Sequence, residues 1–178
     1  MPDALIKAAA CMLAAFLVLN VADARPKSAG AAFSYSGISL SYEHMMAEDC
    51  FAQFSIKSEM GEMLAGRTDS PGYSASFTWN MILDTIKSRN GNRIDFFAGP
   101  GIIAGKSHDF KKQEGYFFGM TCRVGLECTF SRKVIVSVCL APVIGSHMEM
   151  LSDSIRMTYL ANGLLNGIMP EIGIRYCF

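Results

Sequence analysis

The fold of this chain is decided by its last eight residues, Glu171-Ile172-Gly173-Ile174-Arg175-Tyr176-Cys177-Phe178. Apolar side chains stand at every second position and share one face of a β-strand: Ile172, Ile174, Tyr176 and Phe178. The other face carries two charges, on Glu171 and Arg175. A strand with one apolar face and one charged face fits the wall of a transmembrane β-barrel. There the apolar row meets lipid and the polar row meets the lumen.

The same octapeptide resembles the C-terminal targeting signal of bacterial outer-membrane barrels. That signal has a polar residue, a glycine two positions later, and aromatic residues in the third-last and last positions. This sequence has Glu171, Gly173, Tyr176 and Phe178 at those positions. The resemblance implies that the barrel-assembly machinery recognises this strand and that outer-membrane lipid surrounds the folded chain. An edge strand of a soluble sheet can end in the same way.

The composition indicates one domain and no nucleic-acid partner. The chain has 178 residues, of which 51% are hydrophobic, and its 16 basic and 16 acidic side chains balance. This length suits a single domain. Zero formal charge gives no electrostatic reason to expect nucleic-acid binding.

The N-terminus predicts a secretory signal peptide. A basic segment ends at Lys7, an apolar run extends from Ala8 to Leu19, and Ala22-Asp23-Ala24 forms a small-residue cleavage site. The run is shorter than the roughly 20 residues that a membrane-spanning helix needs. We therefore expect residues 1–24 to be removed and residues 25–178 to form the barrel domain. A buried N-terminal helix is the alternative.

Five cysteines follow the predicted cleavage site, and their number is odd: Cys50, Cys122, Cys128, Cys139 and Cys177. Their irregular spacing does not suggest a disulfide framework. They also lack the paired spacing of zinc ligands. We expect them to be small apolar fillers on strand faces, and we predict no metal or cofactor site.

The clearest alternation runs from Tyr116 to Phe130. Every even position is apolar: Tyr116, Phe118, Met120, Cys122, Val124, Leu126, Cys128 and Phe130. The row is aromatic at both ends and aliphatic between, like a lipid-facing band flanked by interfacial aromatic residues. In a soluble sandwich the same row would face the core, but fifteen residues is long for such a strand.

Weaker alternation of the same kind recurs along the chain, near residues 38–44, 53–59, 73–84, 93–102 and 134–145. With the terminal strand these runs make seven, whereas bacterial barrels have an even number. The stretch from Ala29 to Ser36 also alternates and supplies a first strand. The sequence therefore predicts an all-β fold, an eight-stranded antiparallel up-and-down transmembrane β-barrel.

The connections alternate between short and long. Short ones are predicted at 46–49, 88–92 and 131–133, and long ones at 61–72, 105–115 and 146–167. Short turns on one side and long loops on the other are typical of outer-membrane barrels. The apolar segment 154–165 either extends the last hairpin or forms a short surface helix. Pro100 and Pro142 fall inside predicted strands, so we expect each at a bulge or near the outer rim.

The polar faces predict a charge network in the lumen, formed by Glu43, Lys57, Glu59, Asp84, Arg93, Asp95, Arg123, Glu127, Glu171 and Arg175. An eight-stranded barrel is just wide enough for side chains to fill it. Charges in so narrow an interior need partners, so we expect a plug of ion pairs. A path for protons or ions would use the same groups and is the alternative.

The histidines give weak support for catalysis, and we predict no catalytic residues. His44 is predicted near a turn, and His108 and His147 in outer loops. Ser146 beside His147 could suggest a nucleophile and its base. Adjacent residues of a strand point to opposite faces, however, which separates the two groups.

Four further motifs extend the resemblance beyond the terminal strand: Leu40-Ser41-Tyr42-Glu43-His44, Gly66-Arg67-Thr68-Asp69, Ala98-Gly99-Pro100-Gly101 and Pro170-Glu171-Ile172-Gly173-Ile174. Together they resemble a family of small outer-membrane β-barrels of Gram-negative bacteria. The resemblance covers the whole mature chain and implies a barrel like those of OmpA and OmpX. The family implies no catalytic residues.

These observations predict an integral protein of the cell outer membrane, exported through a cleaved signal peptide. Its lumen would be closed and polar, and its role would be structural or would depend on surface interactions of the outer loops. Two alternatives remain open. One is an outer-membrane enzyme that modifies lipid. The other is a soluble exported barrel that binds an apolar ligand inside, as lipocalins do.

Overall fold

The computed structural model of the protein describes residues 27–64, 66, 69–87, 92–108, 114–130, 133–150 and 155–178. The predicted signal peptide, residues 1–24, lies outside the described residues. No helix in the described part of the chain combines the length and the apolar character needed to cross a bilayer.

Ten strands and two short helices follow one another along the described residues. The strands are β1 Lys27–Ser34, β2 Gly37–Met45, β3 Cys50–Glu59, β4 Gly72–Lys87, β5 Arg93–His108, β6 Glu114–Phe130, β7 Val134–Leu140, β8 Val143–Met150, β9 Ile155–Tyr159 and β10 Glu171–Cys177. The helices are α1 Gly61–Leu64 and α2 Ala161–Ile168.

The strands form one closed antiparallel sheet. From β1 to β6, each strand pairs with the next along the chain. β6 then pairs with β7 over one part of its length and with β8 over another, while β10 pairs with β7 and β9 with β8. β10 also pairs with β1, which closes the sheet. Because β7 and β8 share one position in the wall and β9 and β10 share the next, the predicted eight-stranded up-and-down barrel is confirmed.

The barrel has two distinct ends. The terminus end carries the first residues of β1, the last residues of β10, and the β2–β3, β4–β5 and β6–β7 connections. The loop end carries the β1–β2, β3–β4, β5–β6 and β8–β9 connections. These two names are used below for the two openings of the barrel.

The first strand exists, but it begins and ends two residues earlier than the predicted stretch from Ala29 to Ser36. β1 spans Lys27–Ser34, and the chain turns at Tyr35 and Ser36. Ala31 pairs with Leu40 on one side and with Ile174 on the other. The strand therefore completes the wall that the even-number rule required.

Two of the predicted long connections are shorter than expected. β5 continues to His108 and pairs with β6 as far as Glu114, so most of 105–115 belongs to strands. The segment 146–167 contains the end of β8, all of β9 and most of α2. Both predictions for 154–165 hold in part, because β9 extends the last hairpin and a helix follows it. That helix is part of the wall.

The wall is interrupted between β7 and β8, at Ala141 and Pro142. Proline has no N–H to donate to a strand ladder, so the pairing stops there. Across the break, residues 160–170 face only residues 140–145, because Tyr159 pairs with Ser146 and Glu171 with Cys139. Eleven residues cannot run extended beside six, and the excess coils into α2. The predicted bulge at Pro142 is thus a strand break.

The prediction of a bulge or rim position for Pro100 is wrong. Pro100 lies inside β5 and pairs in register with Cys122 of β6. On the other side of β5, the pairing with β4 skips from Thr78 to Met81. The ladder weakens on the side where proline cannot donate a hydrogen bond, while the strand itself continues.

Side chains alternate between an outward row and an inward row on the strands, as the period of two requires. On β6, Met120 is 67% exposed whereas Arg123 is 6% exposed. The exposed apolar side chains between the two ends include Leu40, Ile56, Ile102, Val124, Val138, Ile144 and Ile174. The outer surface of the barrel is therefore an apolar belt.

Exposed aromatic side chains gather toward both ends of this belt. The loop end carries Phe33, Tyr35, Tyr73, Tyr116, Phe118 and Tyr159. The terminus end carries Trp79, Phe96, Phe130, Tyr176 and Phe178. An aliphatic band between two girdles of aromatic side chains is the pattern that transmembrane barrels present to lipid.

β4 contains one extra residue relative to β5. Ile82 pairs with Phe97 and Asp84 with Phe96, so Leu83 is the extra residue of a β-bulge. Leu83 is 65% exposed. After the bulge, a residue that simple alternation would place inside the barrel lies on the outside, and the reverse.

We predict that deleting Leu83 leaves the barrel intact, because the residues on both sides already pair as they would without it. Deleting Ile56, an exposed residue inside the uninterrupted β3 ladder, should disrupt the barrel by exchanging the faces of the following residues. The measurement is mobility in cold SDS with and without boiling. A Leu83 deletion that loses the folded band as completely as the Ile56 deletion would contradict the bulge.

Candidate functional site: the polar lumen

The inward rows place most of the predicted charged residues in the lumen. They are Glu43, Lys57, Glu59, Arg93, Asp95, Arg123, Glu127, Glu171 and Arg175. Their contacts divide them into groups at different heights along the barrel. In each group, basic side chains or hydroxyls form ion pairs or hydrogen bonds with the acidic side chains.

Arg175 is the centre of a group toward the terminus end. Its guanidinium donates to Glu127 and lies 3.3 Å from a carboxylate oxygen of Glu43. All three side chains are almost completely buried. A Cβ at Gly30 would lie 2.0 Å from the carbonyl oxygen of Ile174 and 2.8 Å from Cγ of Arg175, so glycine there lets β1 approach both the backbone of β10 and the arginine side chain. Arg175 therefore holds together two carboxylates on β2 and β6.

Arg123 forms the next group toward the middle of the barrel. It donates to Gln53, its Nη2 lies 2.7 Å from Sγ of Cys139, and the same nitrogen lies 3.5 Å from Glu171. Lys57 approaches the other oxygen of Glu171 at 3.9 Å. One arginine thus joins side chains from β3, β7 and β10 across the lumen.

Two acids have separate partners. Asp95 accepts hydrogen bonds from Nε of Arg93 and from the hydroxyl of Thr85, each at 2.6 Å. Glu59, on the loop-end side, accepts a hydrogen bond of 3.4 Å from Ser74. Arg93 is part-exposed because it lies at the terminus end.

The prediction that Asp84 belongs to the lumen network is wrong. Asp84 lies after the bulge and pairs with the outward residue Phe96, and its side chain is exposed. The extra residue Leu83 moves Asp84 to the outer face and brings Thr85 inward, where Thr85 bonds to Asp95. Simple alternation cannot reveal a one-residue insertion.

An apolar cluster lies beside the Arg123 group. Phe51, Phe97 and Cys139 are buried together, with Met45 and Ile82 packed against them. The two phenyl rings meet edge to face with their centroids 5.4 Å apart. The guanidinium of Arg123 lies 5.8 Å from the centroid of Phe97, within the range of a cation–π contact. This part of the lumen is filled by side chains.

A cavity of about 80 Å³ occupies the lumen on the loop-end side of these groups. One side of its lining is rich in hydroxyls and includes Ser39, Ser55, Ser74, Ser76 and Thr78. Lys57 and Glu171, which also line it, are more accessible than the Arg175 group. Since a buried water needs about 10–15 Å³ of such space and polar partners, the cavity has room for several waters.

His147 is a fully buried residue of β8, so the prediction that places it in an outer loop is wrong. Its Nε2 lies 3.3 Å from the carbonyl oxygen of Ser107, and its Nδ1 lies 3.9 Å from Glu149. Ser146 pairs with the outward residue Phe118, whereas His147 pairs with the inward residue Phe117. The predicted separation of Ser146 from His147 is confirmed.

The inward rows also carry groups that the predicted network omitted. Gln53 and Cys139 contact Arg123, and Thr85 contacts Asp95. Alternation identifies the inward position of Gln53 and Cys139, but neutral groups give no charge signal. All five cysteines in the described part of the chain have free thiols. No cluster of three or more His, Cys, Asp or Glu in the described ranges could hold a metal ion.

Comparisons with known proteins give structural neighbours only. No family model matches the chain, and no curated protein matches it. The chain is similar to the N-terminal β-barrel domain of Pseudomonas aeruginosa OprF (11% identity, 86% of this chain and 96% of that one, TM-score 0.45). It is also similar to a major outer membrane protein from Thermus thermophilus (9%, 86% and 98%, 0.42) and to Ail, the attachment invasion locus protein of Yersinia pestis (13%, 86% and 97%, 0.36).

We predict that Arg175→Met lowers the free energy of unfolding by about 3–5 kcal/mol, because it leaves Glu43 and Glu127 buried without their cation. The matched variant Arg93→Met removes a cation whose side chain is 37% exposed and should cost about 1 kcal/mol or less. Urea unfolding of the refolded protein in lipid vesicles measures both. Equal losses for the two variants would contradict the central role of Arg175.

Proposed function

We propose that this chain is an integral outer-membrane β-barrel whose lumen is closed and polar, with a structural or surface-interaction role carried by the connections at its loop end. The single observation that carries the proposal is the inverted distribution of side chains. Apolar residues form the outer belt and charged residues fill the inside, opposite to the arrangement of a soluble globular domain. Such a surface is stable when lipid covers it.

The inverted distribution argues against a soluble lipocalin-like barrel. That alternative requires Met120, Val124 and Leu126 to face a ligand inside the barrel. These side chains are exposed on the outside, and Arg123 and Glu127 are buried within. A ligand-binding interior of the lipocalin kind is apolar. The arrangement of the two faces therefore favours the membrane barrel over the soluble one.

Two layers of contacts support a closed lumen. The Arg175 group fills the barrel near the terminus end, and the Phe51–Phe97 cluster packs beside the Arg123 group. An eight-stranded barrel is narrow enough for side chains to fill its cross-section. Breaking the ion pairs would leave buried charges without partners, which is costly. These contacts favour a plugged lumen over an open channel.

The proposed partners follow from the surface. Outer-membrane lipid would cover the apolar belt, and the barrel-assembly machinery would recognise the terminal strand with Glu171, Gly173, Tyr176 and Phe178. β10 presents Tyr176 and Phe178 on the exposed face at the terminus end, where a recognising protein could reach them. We assign no lipid-modifying activity, because Ser146 and His147 lie on opposite faces of β8.

The first test is the mobility of the membrane-fraction protein in SDS. A closed barrel resists SDS when cold, since its backbone hydrogen bonds form one continuous ring, so unboiled and boiled samples should migrate differently. We expect this shift in protein recovered from the outer-membrane fraction of a Gram-negative host. Recovery as soluble periplasmic protein without a shift would overturn the proposal.

A second test places a charge on the belt. Leu126→Arg should lower the free energy of unfolding in lipid by about 2–4 kcal/mol, because an arginine on the lipid face is costly away from the interface. Tyr116→Arg changes a residue of the same strand that lies in the aromatic girdle at the loop end. This substitution should lower the free energy of unfolding by about 1 kcal/mol or less. Urea unfolding in vesicles compares them. Equal midpoints for Leu126→Arg and the parent would refute the assignment of this face to lipid.

A further inference from the structure

The interruption of the wall lies directly beside the lumen cavity. Ala141, Val143, Leu160, Gly163, Gly167 and Met169, from both sides of the break, all line that cavity. Met169 is also 45% exposed, and its neighbour Ile168 belongs to the exposed apolar surface. At this height, the segment containing α2 is the partition between the cavity and the outside of the barrel.

Few backbone hydrogen bonds hold this partition in place. In the described part of the chain, two backbone bonds join 160–170 to the facing strand position, from Ala141 to Gly167 and from Leu160 to Gly145, both 3.0 Å. A regular antiparallel ladder of similar length would supply more. Pro142 and Pro100 lie on opposite sides of Cys122, and neither can donate a backbone hydrogen bond. The wall is therefore easier to open here than elsewhere.

Two glycines let α2 approach the break closely. A Cβ at Gly167 would lie 2.2 Å from Cα of Pro142, and a Cβ at Gly163 would lie 3.2 Å from Cβ of Val143. The helix has no side-chain cap at its N-terminus. Its position thus depends on close packing against the break more than on directed hydrogen bonds.

The cavity behind the helix has two unlike sides. The lining around α2 is mostly apolar and includes Ile103, Phe117, Val143, Leu160 and Met169, while β5 and β6 also contribute Ser107, Thr121 and Arg123. The side formed by β1 to β4 carries the serine and threonine hydroxyls. An amphiphile matches this arrangement, with its head toward the hydroxyls and its chain toward the helix.

The charges of the lining indicate a neutral head group. Lys57 and Arg123 both lie near Glu171, and Glu59 accepts a hydrogen bond from Ser74. A charged ligand would have to compete with these partners, and charge mismatch opposes binding. Hydroxyls both donate and accept, so they suit a head that carries hydroxyls itself. A volume of about 80 Å³ admits such a small head and excludes a long chain.

We propose that the lumen cavity binds the hydroxyl-bearing head of a neutral single-chain amphiphile, which enters from the lipid side when α2 moves away from the break. The chain of the ligand would leave the barrel past Met169 and remain in the lipid. This inference rests on the proposed membrane location of the barrel.

The experiment closes the partition with a disulfide. In a variant whose native cysteines are replaced by serine or alanine, Val143→Cys and Gly163→Cys place two Cβ atoms about 3.2 Å apart, slightly closer than the 3.5–4.5 Å of a disulfide. The new Cβ at position 163 also lies 2.7 Å from the carbonyl oxygen of Val143, so α2 must shift slightly, and Gly163→Cys alone is compared with the parent to measure the effect of that shift on binding. The probe is a radiolabelled long-chain monoacylglycerol added to the protein in lipid nanodiscs. We expect one bound molecule per barrel in the reduced form, loss on oxidation, and recovery with reductant.

A matched control places a disulfide in an intact part of the wall. Ala31→Cys and Ile174→Cys join paired residues of β1 and β10, away from α2, and oxidation there should leave binding unchanged. A fatty acid of equal chain length should bind at least about tenfold more weakly, and free glycerol should not compete appreciably. Cold-SDS mobility of the same samples shows whether the barrel has formed, which separates failure of the fold from failure of this inference.

The remaining outcomes overturn the proposal. Binding that survives oxidation of the Val143–Gly163 pair would mean that the ligand enters from the loop end. No binding to a barrel that shows the SDS shift would mean that the cavity holds water alone. Ser55→Ala, which removes a cavity hydroxyl, should weaken binding about tenfold, and Ser58→Ala, outside the cavity lining in the same strand, should not. Equal effects of the two substitutions on binding would mean that the ligand does not contact the cavity hydroxyls.

Discussion

The pairing of β1 with β10 is the interaction on which the rest of the structure depends. It joins the two ends of the described chain and turns a meander into a ring, so both edges of β1 are paired. Closure also fixes the number of wall positions and with it the width of the lumen. In a lumen this narrow, inward side chains such as Arg123 and Arg175 contact side chains from several other strands. The inward rows are therefore constrained as strictly as a globular core.

The contents of the lumen follow from that constraint. Arg175 lies between Glu43 and Glu127, and Arg123 joins Gln53, Cys139 and Glu171, so each cation neutralises acids on strands other than its own. Buried pairs of this kind add little net stability compared with an apolar core of the same shape. These pairs instead disfavour a wrong register. If a strand shifted by one residue, its charged side chains would move from the lumen to the apolar outer face. The charge network therefore specifies the register of the wall.

The sequence predicts the features that follow from the period-two alternation of side chains. It does not predict the features that depend on how one strand pairs with its neighbour. The alternation from Tyr116 to Phe130 predicts β6, its faces and the belt, because every residue in it obeys one period. The bulge at Leu83 inserts a single residue that only the pairing with β5 reveals, so alternation places Asp84 on the wrong face. Alternation also misses the position of His147, because the hairpin of β8 and β9 continues beyond the strong period-two pattern. Alternation is consistent with the inward positions of Gln53 and Cys139, but only the folded structure brings them into contact with Arg123 across the lumen.

The largest departure from the sequence pattern is the break at Pro142. At this break the wall has fewer backbone hydrogen bonds between its segments than a regular ladder would supply. Proline, two close-packed glycines and an uncapped helix all oppose a regular strand there, and they do so in one place. Local rules that agree along a chain favour a single stable fold, so a cluster of violations needs a compensating use. A barrel needing only mechanical stability would gain from a shorter segment here, one that continued β10 as a paired strand. The few backbone hydrogen bonds of this part of the wall, and the cavity directly behind it, support the proposed exchange between lumen and lipid.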